Sequence, residues 1–360
     1  MCRLSWWTWR LNILMSDFKI NSIATKQGQH GPVIAGVSTV NSTGCMKIPS
    51  GPTENRGGRD KGVFAGGYSP GYVNRMEFIT ISTTGAASDF GDLPKAQGQG
   101  AAVSSSTRGV IMGGQAPATH TEMYFITISS QGGANSFGDL KSLMQSNSGV
   151  SNNTRGVSCG GNLLVSPTNV KSNIMEFITI ASTGDATNFG DLTVPRSHTS
   201  GTSSPTRGVI IGGVDDSVVL NVIDFITITT LGDAIDFGDL ITKTYGASNG
   251  IISDGTRGFS AGGSTPSYTN VINQIIFQTL GNATDFGDLH VGASGAGNLY
   301  PAGCSNGTKG IVAGGQTPSS KLDVIDVFTM ASSGNATSFG AIADARNLFS
   351  GFSDCHGGIG

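Results

Sequence analysis

The chain has 360 residues, 55 of them glycine and only 12% charged, with a formal net charge of −3 and a pI near 5.9. So little Lys and Glu amid so much Gly, Ser and Thr disfavours long helices and favours short strands joined by tight turns. A slightly acidic chain offers no basic surface to nucleic-acid phosphate or anionic lipid, so neither is expected as a partner.

The first fourteen residues, MCRLSWWTWRLNIL, hold all three tryptophans, and Arg10 interrupts their apolar run. Without a small-residue cleavage site they make a poor signal peptide, and Met15 offers an alternative start. No stretch reaches the roughly 18 apolar residues of a membrane-spanning helix, so membrane insertion is not expected. Residues 1–46 are expected to form a leader or attachment segment.

From residue 47 onward one pattern recurs six times. Its first mark is a basic residue, Gly, three mostly apolar residues and Gly-Gly, starting at Lys61, Arg108, Arg155, Arg207, Arg257 and Lys309 with spacings of 47, 47, 52, 50 and 52. The second is FITI at Phe78, Phe125, Phe177 and Phe225, degraded to QIIF at Gln274 and VFTM at Val327. The third is FGDL at Phe90, Phe137, Phe189, Phe237 and Phe286, ending as FGAI at Phe339. In the clearest copy the predicted strands are RSHTSGTSS from Arg196, RGVIIGG from Arg207, NVIDFITI from Asn221 and DFGDL from Asp236. Four short strands in a period of about 50, apolar on both sides, predict small sheets that hide both faces against their neighbours: an all-β propeller with six complete repeats. A linear solenoid, whose coils usually repeat every 20–30 residues, is the main competitor.

This unit resembles the kelch repeat in its Pro-Arg start (Pro195, Arg196), its Gly-Gly after the second strand (Gly212, Gly213), its apolar third strand and the aromatic and Leu of its fourth. It departs in lacking the usual third-strand aromatic partners and in carrying Phe for the fourth-strand Trp. The phrases FITISTTGAASDFGDL from Phe78 and FITIASTGDATNFGDL from Phe177, with the segment 20–51, are also similar to virion proteins of tailed phages, notably cyanobacterial ones. That resemblance implies a virion location on tail or capsid surface, and a structural or host-contacting role.

After the sixth FGAI, residues 343–360 restart a repeat and leave half a blade over, which exposes a sheet edge unless the ring closes on it. Residues 31–46 completing a seventh blade, or the C-terminal strand closing a six-bladed ring, are both open at this point.

Because the chain reverses at every turn, the second-to-third loops share a face with the fourth-to-first connections. Those loops diverge between copies, whereas the opposite turns, S-S-x-T-R-G and S-T-G-x-A-T, barely change. Divergent loops on a rigid scaffold are where recognition is expected. The contact candidates are Tyr68, Tyr72, His120, Asp215, Asp216 and Tyr268 after the second strand, and Tyr245, His290, Tyr300, Arg196 and His198 from the inter-blade side. The repeated Arg108, Arg155, Arg207 and Arg257 read instead as inter-blade scaffolding, with the Asp of FGDL as the expected partner.

Five scattered cysteines give neither a disulfide framework nor a zinc spacing, and Cys159 stands where sister repeats carry Met112, Ile211 and Ala261, as a core residue would. Carboxylates near FGDL dwindle between copies and no bidentate Glu follows, which disfavours calcium. The five histidines fall in different repeats, and no catalytic cluster is apparent. No cofactor or metal is expected. The sequence thus reads as a non-enzymatic tail-fibre or adhesin-like propeller binding a host-surface glycan or protein and packing on other virion proteins. A decoration or assembly role without receptor binding is the plainer alternative, and a glycan-degrading propeller the enzymatic one.

Overall fold

The computed structural model describes residues 60–165, 168–216, 218–290 and 297–355. The leader expected over 1–46, Met15 and the segment 31–46 lie outside these residues. The regular elements are strands, and they form six antiparallel four-stranded blades of a β-propeller, the third blade carrying one extra short strand.

β1 (Lys61–Ala65), β2 (Arg75–Thr80) and β3 (Ser88–Asp92) belong to the first blade, and β4 (Ala101–Ser104), β5 (Arg108–Ala116), β6 (Ala118–Thr127) and β7 (Asn135–Asp139) form the second. β8 (Met144–Gln145), β9 (Ser148–Ser151), β10 (Arg155–Val165), β11 (Thr168–Thr179) and β12 (Thr187–Asp191) make the third. The fourth comprises β13 (Ser200–Ser203), β14 (Arg207–Ile211), β17 (Val222–Thr227) and β18 (Ile235–Asp239), with β15 (Val214–Asp215) and β16 (Val218–Val219) as a small hairpin above it. In the fifth, β19 (Ile252–Ser253), β20 (Arg257–Ala261), β23 (Val271–Ile276) and β24 (Thr284–Asp288) carry a hairpin of β21 (Ser264–Thr265) and β22 (Ser267–Tyr268). The sixth is β25 (Ala302–Ser305), β26 (Lys309–Ala313), β27 (Val324–Thr329) and β28 (Thr337–Ala341).

The last strand, β29 (Ser350–Ser353), pairs with β1, setting Gly62 opposite Ser353 and Ala65 opposite Ser350. It is the inner strand that the first blade lacks. The leftover half-blade therefore closes a ring of six, and the seven-bladed alternative does not hold.

Burial follows the alternation of the strands. On β14, Val209 and Ile211 join a cluster with Ile275 and Phe277 of the fifth blade, while Ile210 faces Val150, Val157 and Met175 of the third. Each of the six hydrophobic clusters lies between two adjacent blades. With about 1.5–3 kcal/mol for each fully buried aliphatic or aromatic side chain, it is the contact between blades, and not any one blade, that stabilises the fold. Cys159, fully buried in the cluster between the third and fourth blades, is the core residue its alignment predicts, and burial raises its thiol far above the usual range.

In the first four blades the FITI phenylalanine meets the FGDL phenylalanine edge-to-face, for example Phe225 and Phe237 at 6.0 Å. The degraded fifth blade keeps this contact by moving its aromatic across the ladder. Val209 pairs with Phe225 in the fourth blade, whereas Phe259 pairs with Gln274 in the fifth, and Phe259 meets Phe286 at 5.0 Å.

The inner strands approach so closely that a Cβ on Gly201 would stand 2.3 Å from the Gly149 carbonyl oxygen. Ser203 donates its hydroxyl to the Ser151 carbonyl, Ser151 to Ser104, Ser104 to Ser353, Ser353 to Ser305 and Ser305 to Ser253. Thr202 bonds the Ile252 carbonyl between the two remaining blades. Small side chains and hydroxyl-to-carbonyl bonds thus fill the hub at its turn end. Among the described residues, no helix is long and apolar enough to cross a membrane.

Candidate functional site at the loop end of the axis

Each blade ties its fourth-to-first connection to its own second-to-third loop, through Tyr68 with Asn347, Gln115 with Gly98, Asn162 with Gln145, Val214 with Ser197, Ser264 with Tyr245 and Gln316 with Leu299. The two sets of loops share one face, as the strand directions require. Gly-Gly makes this turn possible: Gly212 has φ 60°, and a Cβ there would lie 2.2 Å from the Thr244 carbonyl oxygen.

At the centre of that face the backbone closes on itself. The Gln99 N–H donates to the Leu348 carbonyl, Leu348 to Tyr300, Tyr300 to Gly246, Gly246 to His198, His198 to Ser146 and Ser146 back to Gln99, at 2.7–3.2 Å. All six residues have φ between 54° and 67°, and five of them are not glycine. A left-handed conformation costs a non-glycine residue roughly 1–2 kcal/mol, so the ring concentrates backbone strain where six different side chains meet.

The well on this axis is small, about 30 Å³, and is lined by the six ring residues with Asn147, Thr199, Ala247 and Asn249. Asn249 arises from a two-residue insertion in the fifth repeat, and its amide reaches across the hub to donate to the Gly100 carbonyl at 2.9 Å. The Oδ1 atoms of Asn147 and Asn249 are buried without a hydrogen-bond partner.

Three aromatic rings adjoin the well. His198 lies 5.3 Å from Tyr300 and 6.2 Å from Tyr245, and the two tyrosines are 6.3 Å apart. Burial, with the Lys171 ammonium nearby, pushes the His198 imidazole down to about 4. Lys171 Nζ, which only donates, bonds Ser197 Oγ at 3.1 Å, and that hydroxyl lies 3.0 Å from His198 Nδ1. Ser197 Oγ therefore accepts from Lys171 and keeps both its own proton and a second lone pair for Nδ1.

From the ring the network runs to the rim. Ser146 Oγ donates to Gln99 Oε1 at 2.6 Å, and Gln99 Nε2 bonds Tyr72 Oη at 3.0 Å and Gln115 Oε1 at 2.9 Å. Tyr68 and Tyr72 meet edge-to-face at 5.3 Å, with Lys321 Nζ 3.9 Å above the Tyr68 ring. Gln316 donates to Tyr268 Oη at 2.9 Å. Five of the six tyrosines are part-exposed on this face, while Tyr124 is buried in β6.

The structure thus brings Tyr245, Tyr300 and His198 together and sets Tyr68, Tyr72 and Tyr268 around them. Asp215 and Asp216 sit on the β15–β16 hairpin, where their charge opposes the burial that lowers the Lys171 ammonium. Other candidates separate from the site. Arg196 is fully buried and pairs with the equally buried Asp224 at 2.9 Å, so it is a strut of the fourth blade and not a surface contact. His290 is exposed just beyond Leu289, which follows the outermost strand of its blade, away from the axis. His120 is buried in the β5–β6 hairpin with Nδ1 2.9 Å from Glu122 Oε2, and burial lowers its imidazole.

Arg108, Arg155 and Arg207 join blades through carbonyls of the next blade and not through the FGDL aspartates, whereas Arg257 departs from the expectation and pairs with Asp254 of its own blade at 2.7 Å. Arg108 and Arg155 lie over Phe125 and Phe177 and donate to the Ile180 and Ile228 carbonyls of the next blade, at 3.0 and 2.9 Å. The FGDL aspartates are engaged through their backbone: the N–H of Asp139, Asp191, Asp239 and Asp288 donates to Asp185, Asp233, Asn282 and Asn335 of the next blade. Among the described residues, no group of three or more His, Cys, Asp or Glu is placed to hold a metal ion.

Sequence reasoning missed Gln99, Ser146, Asn147, Asn249 and Leu348. The signal was present: in five of the six repeats a variable residue stands five positions before the constant Ser that ends the inner strand. No protein-family model matches the chain, and it matches no curated protein.

Proposed function

We propose that this chain is a non-enzymatic virion component, a tail-fibre or adhesin-like propeller whose loop face binds a host-surface glycan. The observation that carries the binding role is the segregation of side chains: five part-exposed tyrosines and a network of amides gather on one face. Tyrosine rings supply apolar area with a polar handle at low entropic cost, and amides offer paired donors and acceptors. Both suit a polyhydroxylated surface more than a charged one. The virion setting rests on the resemblance of the FITI, S-T-G-x-A-T and FGDL phrases to those of tailed-phage proteins. Copies displayed together would give avidity from individually weak sites.

The test is adsorption to host cells and binding to a glycan array, with the protein carrying a shortened β10–β11 hairpin and, separately, Tyr68→Ala with Tyr72→Ala. Loss of binding with the melting curve retained supports the reading. Unchanged adsorption in both variants replaces it with a decoration role, and sugars released from the polysaccharide replace it with a glycan-degrading one.

A further inference from the structure

The axial well carries chemistry of its own. Its lining, Gln99, Ser146, Asn147, His198, Thr199, Gly246, Ala247, Asn249, Tyr300 and Leu348, contains no carboxylate, ammonium or guanidinium group. Two buried acceptors there lack a donor, Asn147 Oδ1 and Asn249 Oδ1. A buried polar atom without a partner is costly, so the site favours whatever brings a proton to it. Unpaired acceptors in one uncharged lining match an alcohol, which brings a proton without a charge.

Size narrows the match. About 30 Å³ admits little more than one water-sized group, so only the tip of a ligand enters. The remainder lies against the aromatic margin formed by Tyr300 and Tyr245, whose ring faces suit the C–H face of a pyranose. The repeat itself supplies a control. The same left-handed position holds Gly246 in the fifth blade and Leu348 in the first, so an aromatic is not needed there to form the ring.

We propose that the axial well is a sugar subsite that takes one hydroxyl-bearing edge of a neutral pyranose residue, with Asn147 and Asn249 accepting its protons beside the His198 ring, and Tyr300 the specificity-determining wall. This rests on the loop-face reading and names the ligand class for its centre.

The experiment is saturation-transfer NMR on the full chain with methyl α-D-glucopyranoside, methyl α-D-galactopyranoside, methyl α-D-mannopyranoside and, as charged comparison, methyl glucuronide. It is run on the unaltered protein, Tyr300→Gly, Tyr300→Leu and His290→Gln, a variant away from the axis. At least one neutral glycoside is expected to bind, the glucuronide at least tenfold more weakly, and Tyr300→Gly and Tyr300→Leu to lose at least tenfold in affinity while His290→Gln stays within threefold. Tyr300→Leu covers the case in which the glycine variant fails to fold, because Leu348 already occupies that conformation. Array binding without saturation transfer from any neutral glycoside overturns the subsite and leaves the loop-face reading intact. So does binding that survives both Tyr300 variants, or glucuronide bound as tightly as the neutral sugars. A protein that binds no glycan on the array overturns both.

Discussion

The two ends of the propeller axis are built on opposite rules. At the turn end, side chains repeat along with the backbone: Arg108 and Arg155 make the same cation–π contact and the same bond to the next blade, and serine hydroxyls chain one inner strand to the next. At the loop end only the backbone repeats. Six N–H groups and six carbonyls close one ring, yet the residues carrying them are Gln99, Ser146, His198, Gly246, Tyr300 and Leu348. Once main-chain bonds satisfy the geometry, side chains at those positions are released from it, and chemical diversity collects there.

The comparison breaks most readily at Arg196, a loop-side residue with a turn-side kind of role. Asp224→Ala leaves a fully buried guanidinium without its carboxylate and is expected to cost about 3–5 kcal/mol in denaturant unfolding. The double change Arg196→Gln with Asp224→Tyr installs the residues that the second blade carries at these positions, Gln97 and Tyr124, and should recover most of that loss. A double variant as unstable as the single one would show that the pair does more than neutralise itself.

Acid separates the two ends next. With the folded His198 at about 4 and its free value 6.5, the unfolded chain binds more protons between those limits, so stability falls as pH drops from 6.5 towards 4. The loss reaches up to about 3 kcal/mol. The groups facing His198 are Lys171 through Ser197, Tyr245 and Tyr300, none of which changes charge in that window. Subtracting the pH–stability curve of His198→Gln isolates the effect, and two parallel curves would refute it. At the turn end, Arg108→Met and Arg155→Met should each cost about 1–2 kcal/mol, from the cation–π contact and the bond to the next blade. Losses matching within about 0.5 kcal/mol between the two blades are the signature of a repeated role.

The fold was legible because its marks are periodic. Val209, Ile210 and Ile211 alternate between two neighbouring blades as an apolar-on-both-sides strand must, and the six Gly-Gly pairs mark the turns. Closure was not, because pairing of Ser350–Ser353 with β1 depends on bringing the chain ends together, which local pattern does not encode. The site was legible in its tyrosines and invisible in its strain. Positive φ at Gln99, Tyr300 or Leu348 has no residue signature when non-glycine residues occupy it, and the reach of Asn249 across the hub follows from ring closure and not from local pattern. Arg196 misled for a related reason: a charged residue in a connection reads as exposed unless its partner, 28 positions on, is known to face it.

The smallest expected effect tests the ring itself. If backbone bonding alone defines it, glycine should be acceptable at any of the six positions and a side chain should be hard to add where glycine already stands. Ser146→Gly removes a left-handed serine at φ 57° and also its hydroxyl bond to Gln99, two terms of opposite sign near 1 kcal/mol each, so the melting temperature should move by only a few degrees. Gly246→Ala faces the reverse: the same left-handed strain appears, and the new Cβ would lie 2.5 Å from Tyr300 Cε1 and 2.6 Å from Leu299 Cδ1. Those are side-chain atoms that can shift, so a loss of about 1–3 kcal/mol is expected, not collapse. The displaced atom belongs to Tyr300, so Gly246→Ala should also disturb the aromatic margin of the well. An alanine tolerated as readily at 246 as a glycine at 146 would mean that the ring is held by its side chains after all.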